Sequence, residues 1–238
     1  MPLERPKRFM AVAAHPDDVE MAMGATFAKW TSSGSEGFIL IVTKGEKGGR
    51  RTDLASDALA AQREREQRAA AKVLGAKDVR FLGKPDGELV YDLDLLGEIV
   101  HWIRTWQPDL VMTHDPTVTF LPWREINHMD HRVVGELALQ AHRCARGKLI
   151  YPEQLGHGRL KTHTFPDYLL WDASEPDHFE DVTDFMDRKA EAVACHATQF
   201  PDIGPPREWL NRWAASIGGP HGMQRAEAFR HLNLRPVF

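Results

Sequence analysis

The first stretch of this chain able to do chemistry is "HPDDVE", where His15, Asp17, Asp18 and Glu20 crowd together directly after a short apolar run. Adjacent carboxylates repel, and burying either one without a partner is costly. The cluster therefore asks for a positive partner. A second stretch, "NHMDHRVVG", offers His128 and His131. These lie three residues apart where a helix is expected to begin, so both can point the same way. Zinc accepts imidazole nitrogen and carboxylate oxygen, usually in four-coordinate geometry. Two histidines and one aspartate leave a fourth position for water, the mark of a catalytic rather than a structural site. Either stretch alone would pass as surface polarity, so their joint placement has to carry the argument.

That placement depends on the elements between them. Residues 8–14 read as a buried strand and residues 19–32 as a helix. "FILIVT" reads as a parallel strand covered on both faces. The polar, glycine-rich "KGEKGGRRTDLAS" is a loop, and a long helix over residues 57–74 follows, with Gly75 placed to end it. "DVRFLG" is a third strand, residues 93–106 a helix, "PDLVMTHDP" a fourth strand and residues 125–146 a helix. Strand and helix alternate through about the first 145 residues, which predicts an α/β fold: a Rossmann-like, mostly parallel, right-handed sheet with helices on both faces. Beyond about residue 147 the pattern is less regular. "YLLWDA" and "FEDVT" read as strands, residues 184–197 as a helix, and the proline-rich "FPDIGPPREW" and "IGGPHG" as surface loops. The chain is expected to form a single domain over residues 1–238. In open α/β sheets ligands collect at the carboxyl ends of the strands, so the polar groups after the first four strands should converge on one edge.

The bulk composition fits a globular protein, with 42% hydrophobic and 27% charged residues among 238. Thirty basic against 34 acidic side chains give a net charge of −4 with the signs interspersed, so no nucleic-acid or anionic-membrane partner is expected. The two cysteines, Cys144 and Cys195, form no CxxC pair and read as buried small side chains. No apolar run approaches the roughly 20 residues of a membrane span. The N-terminal apolar segment is too short for a secretion signal, so a cytoplasmic location is expected.

"AHPDDVE" together with "HMDH" resembles the LmbE-like (PIG-L) family of zinc-dependent N-acetylglucosaminyl deacetylases. "VTKGEKGG" resembles the family's glycine-rich loop, and "REREQRAAAKVLGAKDVRFLGKPDG" its Arg-x-x-Glu helix, Leu-Gly turn and strand leading to an aspartate. "KAEAVACHATQF" resembles its late His-x-[Ser/Thr]-Gln segment. Together these cover most of the chain. Met129 departs from the proline that family members often carry between the histidine and aspartate of the second motif, and residues 147–164 match no family pattern.

The resemblance implies His15, Asp18 and His131 as metal ligands, with zinc as cofactor, although ferrous iron fits the same set. It implies Asp17 as the general base that takes a proton from a metal-activated water as it attacks an amide carbonyl. His128 would stabilise the oxyanion as imidazolium or protonate the leaving amine, and Asp130 would orient a histidine. Arg63 and Asp86 match positions that contact sugar hydroxyls. Glu20 reads either as fixing the loop or a ligand, or as a carboxylate at a helix N-terminus. His196 reads either as an approach to the site or as a satisfied buried histidine. Lys44, Lys47, Arg50 and Arg51 read as a surface loop or as contacts to a substrate anion, Arg65 and Arg68 as a solvated face. Trp102, Trp106, Trp171, Trp209 and Trp213 read as core, and Trp123 as a pocket wall. The implied partner is a small amino-sugar substrate, and a homo-oligomer is left open. Alternatives are an amidase for a bulkier acyl or thiol conjugate and a non-catalytic sugar-binding domain. A nucleotide-binding Rossmann protein is disfavoured because no GxGxxG follows the first strand.

Overall fold

The structure is a computed structural model, and it describes residues 3–49, 54–121, 125–158, 160–200 and 206–234. Seven strands and six α-helices follow in the order β1 (Arg8–Ala13), α1 (Asp18–Ser32), β2 (Glu36–Thr43), α2 (Ser56–Leu74), β3 (Asp78–Lys84), α3 (Leu93–Trp106), β4 (Leu110–His114), α4 (Met129–Arg146), β5 (Asp167–Trp171), β6 (His178–Asp181), α5 (Met186–Ala194), α6 (Pro206–Gly218) and β7 (Ala226–Asn233). The sheet runs β3-β2-β1-β4-β5-β7-β6. The first five strands in that order are parallel, and β7 is antiparallel to both its neighbours. The α/β, mostly parallel expectation holds. The chain winds outward from β1 to β3 on one side and restarts at β4 on the other, so the gap between β1 and β4 is the switch point where such sheets bind ligands.

β1 is buried on both faces, as a central parallel strand must be. Met10, Val12 and Ala14 pack on α3 and α4, while Phe9, Ala11 and Ala13 pack on α1 and α2. A third apolar cluster, including Ala25, Met186, Val193 and Leu210, joins α1 to α5 and α6. Arg104 anchors the C-terminal end of α4. It is 1% exposed, and its guanidinium donates to the carbonyls of Cys144, Ala145, Gly147, Ile150 and Tyr151. These include carbonyls left without partners at the end of the helix.

Four expectations are corrected. α4 begins at Met129 rather than residue 125, because residues 115–121 and 125–127 lie outside any helix and are pinned through Asp115, Thr119 and Asn127, and His128 caps the helix. α5 ends at Ala194 rather than 197, and a turn of 3₁₀ helix at Thr183–Phe185 precedes it. The "PREW" segment is the start of α6, where Pro206 suits a first helical turn because its missing N–H would be unpaired there anyway. Residues 226–233 form β7, a strand the sequence pattern does not announce. Cys144 and Cys195 are half-buried free thiols rather than fully buried. Arg50, Arg51 and Trp123 lie outside the described residues.

Candidate metal and active site

β1 ends at the switch point, and its last turn delivers His15 and Asp18. α4 begins opposite and delivers His131. The three offer donor atoms within 4.8 Å of one another. His15 Nε2 lies 3.1 Å from Asp86 Oδ1 and 3.3 Å from Asp130 Oδ2. Ionised carboxylates only accept, so this nitrogen carries a proton, and in the neutral ring the lone pair is on His15 Nδ1. Asn127 donates from Nδ2 to the Val118 carbonyl at 2.9 Å, which turns its Oδ1 toward His131 Nδ1 at 3.1 Å. His131 therefore donates from Nδ1 and keeps its lone pair on Nε2. The two lone-pair nitrogens face each other at 3.2 Å.

Asp18 completes the set. Its Oδ2 accepts the His15 N–H at 2.7 Å and lies 3.2 Å from His114 Nε2. Its Oδ1 faces His131 Nε2 at 3.3 Å. Two zinc–nitrogen bonds of about 2.0–2.1 Å at a tetrahedral angle put the nitrogens about 3.3 Å apart, so the observed spacing fits one shared cation. The electrostatics agree. Burial works against a charged His15, but its hydrogen bonds to Asp130, Asp18 and Asp86 outweigh that and hold the imidazole well above its usual pKa. Burial likewise opposes charge on His131, and Asp18 overrides it. Burial would raise Asp18, yet His131 and His114 hold it well below the carboxylate range. A site that draws protons onto its imidazoles is negative enough to draw a cation instead.

Two neighbouring clusters can be set aside by the same reasoning. His114, His131 and Asp172 also lie close together. However, Trp171 donates from Nε1 to His114 Nδ1 at 2.9 Å, and indole can only donate. That lone pair is spent, so His114 serves as a donor to Asp18. Burial keeps it neutral, with a pKa lowered to about 3. In the group of His15, Asp86, His128 and Asp130, Asp130 accepts from the N–H groups of Gly87 and Leu89 at 2.7 and 3.2 Å. Asp86 accepts from the Lys47 N–H at 3.3 Å. These carboxylates hold His15 and knit three loops together. Of the residues named from the sequence, the structure brings His15, Asp18 and His131 together. Sequence reasoning did not assign His114 or Asn127, although both stand inside the quoted segments.

The remaining candidates have clear positions. Asp17 stands at the N-terminus of α1 with φ 104°, and burial raises its carboxyl to about 6 against the pull of Arg63. His128 is 44% exposed, its ring 4.7 Å from that of His15, and its Nδ1 accepts the Asp130 N–H at 3.2 Å. That leaves Nε2–H as its outward donor, and burial lowers its pKa, so a neutral donor fits better than an imidazolium. Asp130 is fully buried and orients His15. Asp86 is 5% exposed, and burial is outweighed by His15, which brings its carboxyl down to about 2. Arg63 is 3% exposed and donates to the carbonyls of Gly45 and Pro16 at 2.8 and 2.6 Å. A Cβ at Gly45 or Gly48 would overlap that guanidinium, so the glycine loop closes on an arginine. Met129 takes the first helical position of α4, where proline is also at home.

Among the described residues no helix is long and apolar enough to cross a membrane. Residues 10–142 match the model of the PIG-L, GlcNAc-PI de-N-acetylase, family. The chain is 32% identical to diacetylchitobiose deacetylase of Thermococcus kodakarensis, over 97% of this chain and 85% of that protein. It is 26% identical to 4-oxalmesaconate hydratase of Pseudomonas putida, over 81% of this chain and 74% of that one. Among solved structures, N,N'-diacetylchitobiose deacetylase of Pyrococcus horikoshii superimposes with a TM-score of 0.86 at 30% identity, covering 96% of this chain and 84% of that one. With more than half its length matched and a near full-length relative above 30% identity, the chain belongs to the PIG-L family.

Proposed function

We propose that this protein is a metal-dependent N-deacetylase that removes the acetyl group from an N-acetylglucosamine-type conjugate, with zinc as the metal and the cytoplasm as its location. The observation that carries the reading is the pair of lone-pair nitrogens, His15 Nδ1 and His131 Nε2, 3.2 Å apart over the Asp18 carboxylate. Support for the substrate class comes from the deacetylase relatives, which match nearly the whole chain.

His15, Asp18 and His131 would hold the ion. Bound there, a divalent cation supplies Lewis acidity, which eases deprotonation of water and polarises an amide carbonyl. Asp17 takes the proton from the attacking water on its carboxylate, beside Arg63 Nη2 at 3.4 Å. His128 presents Nε2–H on the exposed side as a neutral hydrogen-bond donor to the developing oxyanion, and Asp17 passes the proton it took from water to the departing amine. Asp130 and Asp86 keep the His15 proton on Nε2 through the cycle.

The test is metal analysis of the purified protein with an acetate-release assay on N,N'-diacetylchitobiose and on a 2-acetamido-2-deoxyglucosyl inositol. Stoichiometric zinc and chelator-sensitive acetate release are expected. A metal-loaded protein that releases no acetate from either, or that hydrates an unsaturated dicarboxylic acid instead, would overturn the proposal.

A further inference from the structure

Asp17 is held in a conformation that an L-residue rarely adopts, with φ 104° and ψ −23°. Such strain persists only where the surroundings over-determine it. Here α2 supplies the surroundings. Gln67 accepts the Asp17 N–H on Oε1 at 2.9 Å. Its amide has one orientation, because Nε2 donates to Glu20 Oε1 at 2.8 Å. Glu20 Oε2 in turn faces His196 Nε2 at 3.3 Å. Gln67, Glu20 and His196 are all 0% exposed, so none of them touches a substrate. Four residues before Gln67 on the same helix face, Arg63 ties the preceding Pro16 carbonyl.

We propose that Gln67 is a positioning residue: it fixes the Asp17 peptide so that Asp17 and Asp18 diverge, Asp18 toward the imidazoles and Asp17 toward Arg63. This rests on the deacetylase reading for its effect on turnover, and on the hydrogen bond alone for its effect on the backbone. The geometry explains how two adjacent aspartates take separate duties. It also places Glu20 as the anchor of the Gln67 amide, with His196 beside the other carboxylate oxygen.

The experiment compares wild type with Gln67→Leu and with the exchanged pair Glu20→Gln/Gln67→Glu. In the exchanged pair a carboxylate again accepts the Asp17 N–H, and an amide donates back to it. Gln67→Leu should lower kcat by about 100-fold, the scale of a misplaced reacting group. KM should stay within about twofold, as for an interaction used only in the transition state, and bound zinc should be unchanged. The exchanged pair should recover kcat to within about tenfold, since it restores the hydrogen bond. Amide hydrogen exchange at Asp17, read by NMR on the zinc-loaded protein, should accelerate at least about tenfold in Gln67→Leu and return toward wild type in the exchanged pair. Wild-type exchange at Asp17 in Gln67→Leu, or loss of zinc together with turnover, would overturn the inference. If Gln67→Leu does not fold, an exchanged pair that folds but leaves kcat low and Asp17 unprotected would overturn it as well. A wild type without acetate release but with the expected exchange change would sink the deacetylase reading and leave the positioning role standing.

Discussion

At the scale of single residues, Asp17, the proposed general base, is where function and stability would conflict. Burial raises its carboxyl from 3.8 to about 6 in the metal-free protein, although Arg63 and His196 pull the other way. A raised folded pKa means that its stabilising contribution is complete below about 4 and is lost as the pH rises through about 6. At neutral pH the charged Asp17 is thus a burden on the fold, as expected of a base kept ready for use. Asp17→Asn should keep zinc and lose about 100- to 10,000-fold in turnover, the range of general-base catalysis. Stripped of metal, it should be more stable than stripped wild type at pH 7.5, with the gap closing toward pH 4. Turnover at the wild-type level, or a stability difference that does not change with pH, would refute the assignment. His15, Asp18, His128 and His131 were legible as a candidate set from residue type and spacing, and the family resemblance singled out His15, Asp18 and His131 among them. His114 was not, because its part depends on which ring nitrogen the Trp171 indole occupies, a contact between two strands that no local pattern encodes.

At the scale of elements, the site depends on how closely α4 approaches the end of β4. Gly135, one turn after His131, makes that approach: a Cβ there would overlap the His114 carbonyl oxygen and crowd Pro116. In a free helix Gly→Ala gains about 1 kcal/mol. Here the obstacle is backbone, which yields only if the helix shifts, and overpacking of this kind costs about 1–3 kcal/mol. The overlap should win. Gly135→Ala should therefore lower the melting temperature and weaken zinc binding by on the order of 10-fold, as when a ligand loses its support. Calorimetry and a chelator competition would show it, and an unchanged zinc affinity would mean that α4 does not set the position of His131. The strands and helices of the parallel half were readable because apolar runs and 3.6-residue spacing report burial directly. The start of α4 was misplaced because "REINHMDH" has helical composition, yet Leu121 and Asn127 spend their backbone N–H groups within the loop. β7 was unreadable because its mixed sequence becomes a strand only by filling the gap between β5 and β6.

At the scale of the whole molecule, the candidate cation site joins parts of the chain that the fold brings together but does not tie covalently. His15 and Asp18 follow β1, and His131 opens α4 more than a hundred residues later, on the far side of the switch point. Asp17, Asp18, Asp86, Asp130 and Asp172 concentrate negative charge at this edge, and burial raises Asp172 to about 6. Folding must gather these carboxylates whether or not an ion is present, and a bound dication offsets their repulsion only in the folded state. Any ligand that binds the native chain alone stabilises it by about 2.7 kcal/mol at a free concentration 100 times its Kd. For a chain of this length each kcal/mol moves the melting temperature by about 2–4 °C, so zinc at that excess should raise it by about 5–10 °C over the chelated protein. His131→Ala removes one of the three proposed ligands and should abolish that increment. An equal rise in His131→Ala would locate the ion elsewhere, with the His15, Asp86, His128 and Asp130 group as the next place to look, and the three-ligand centre would be wrong.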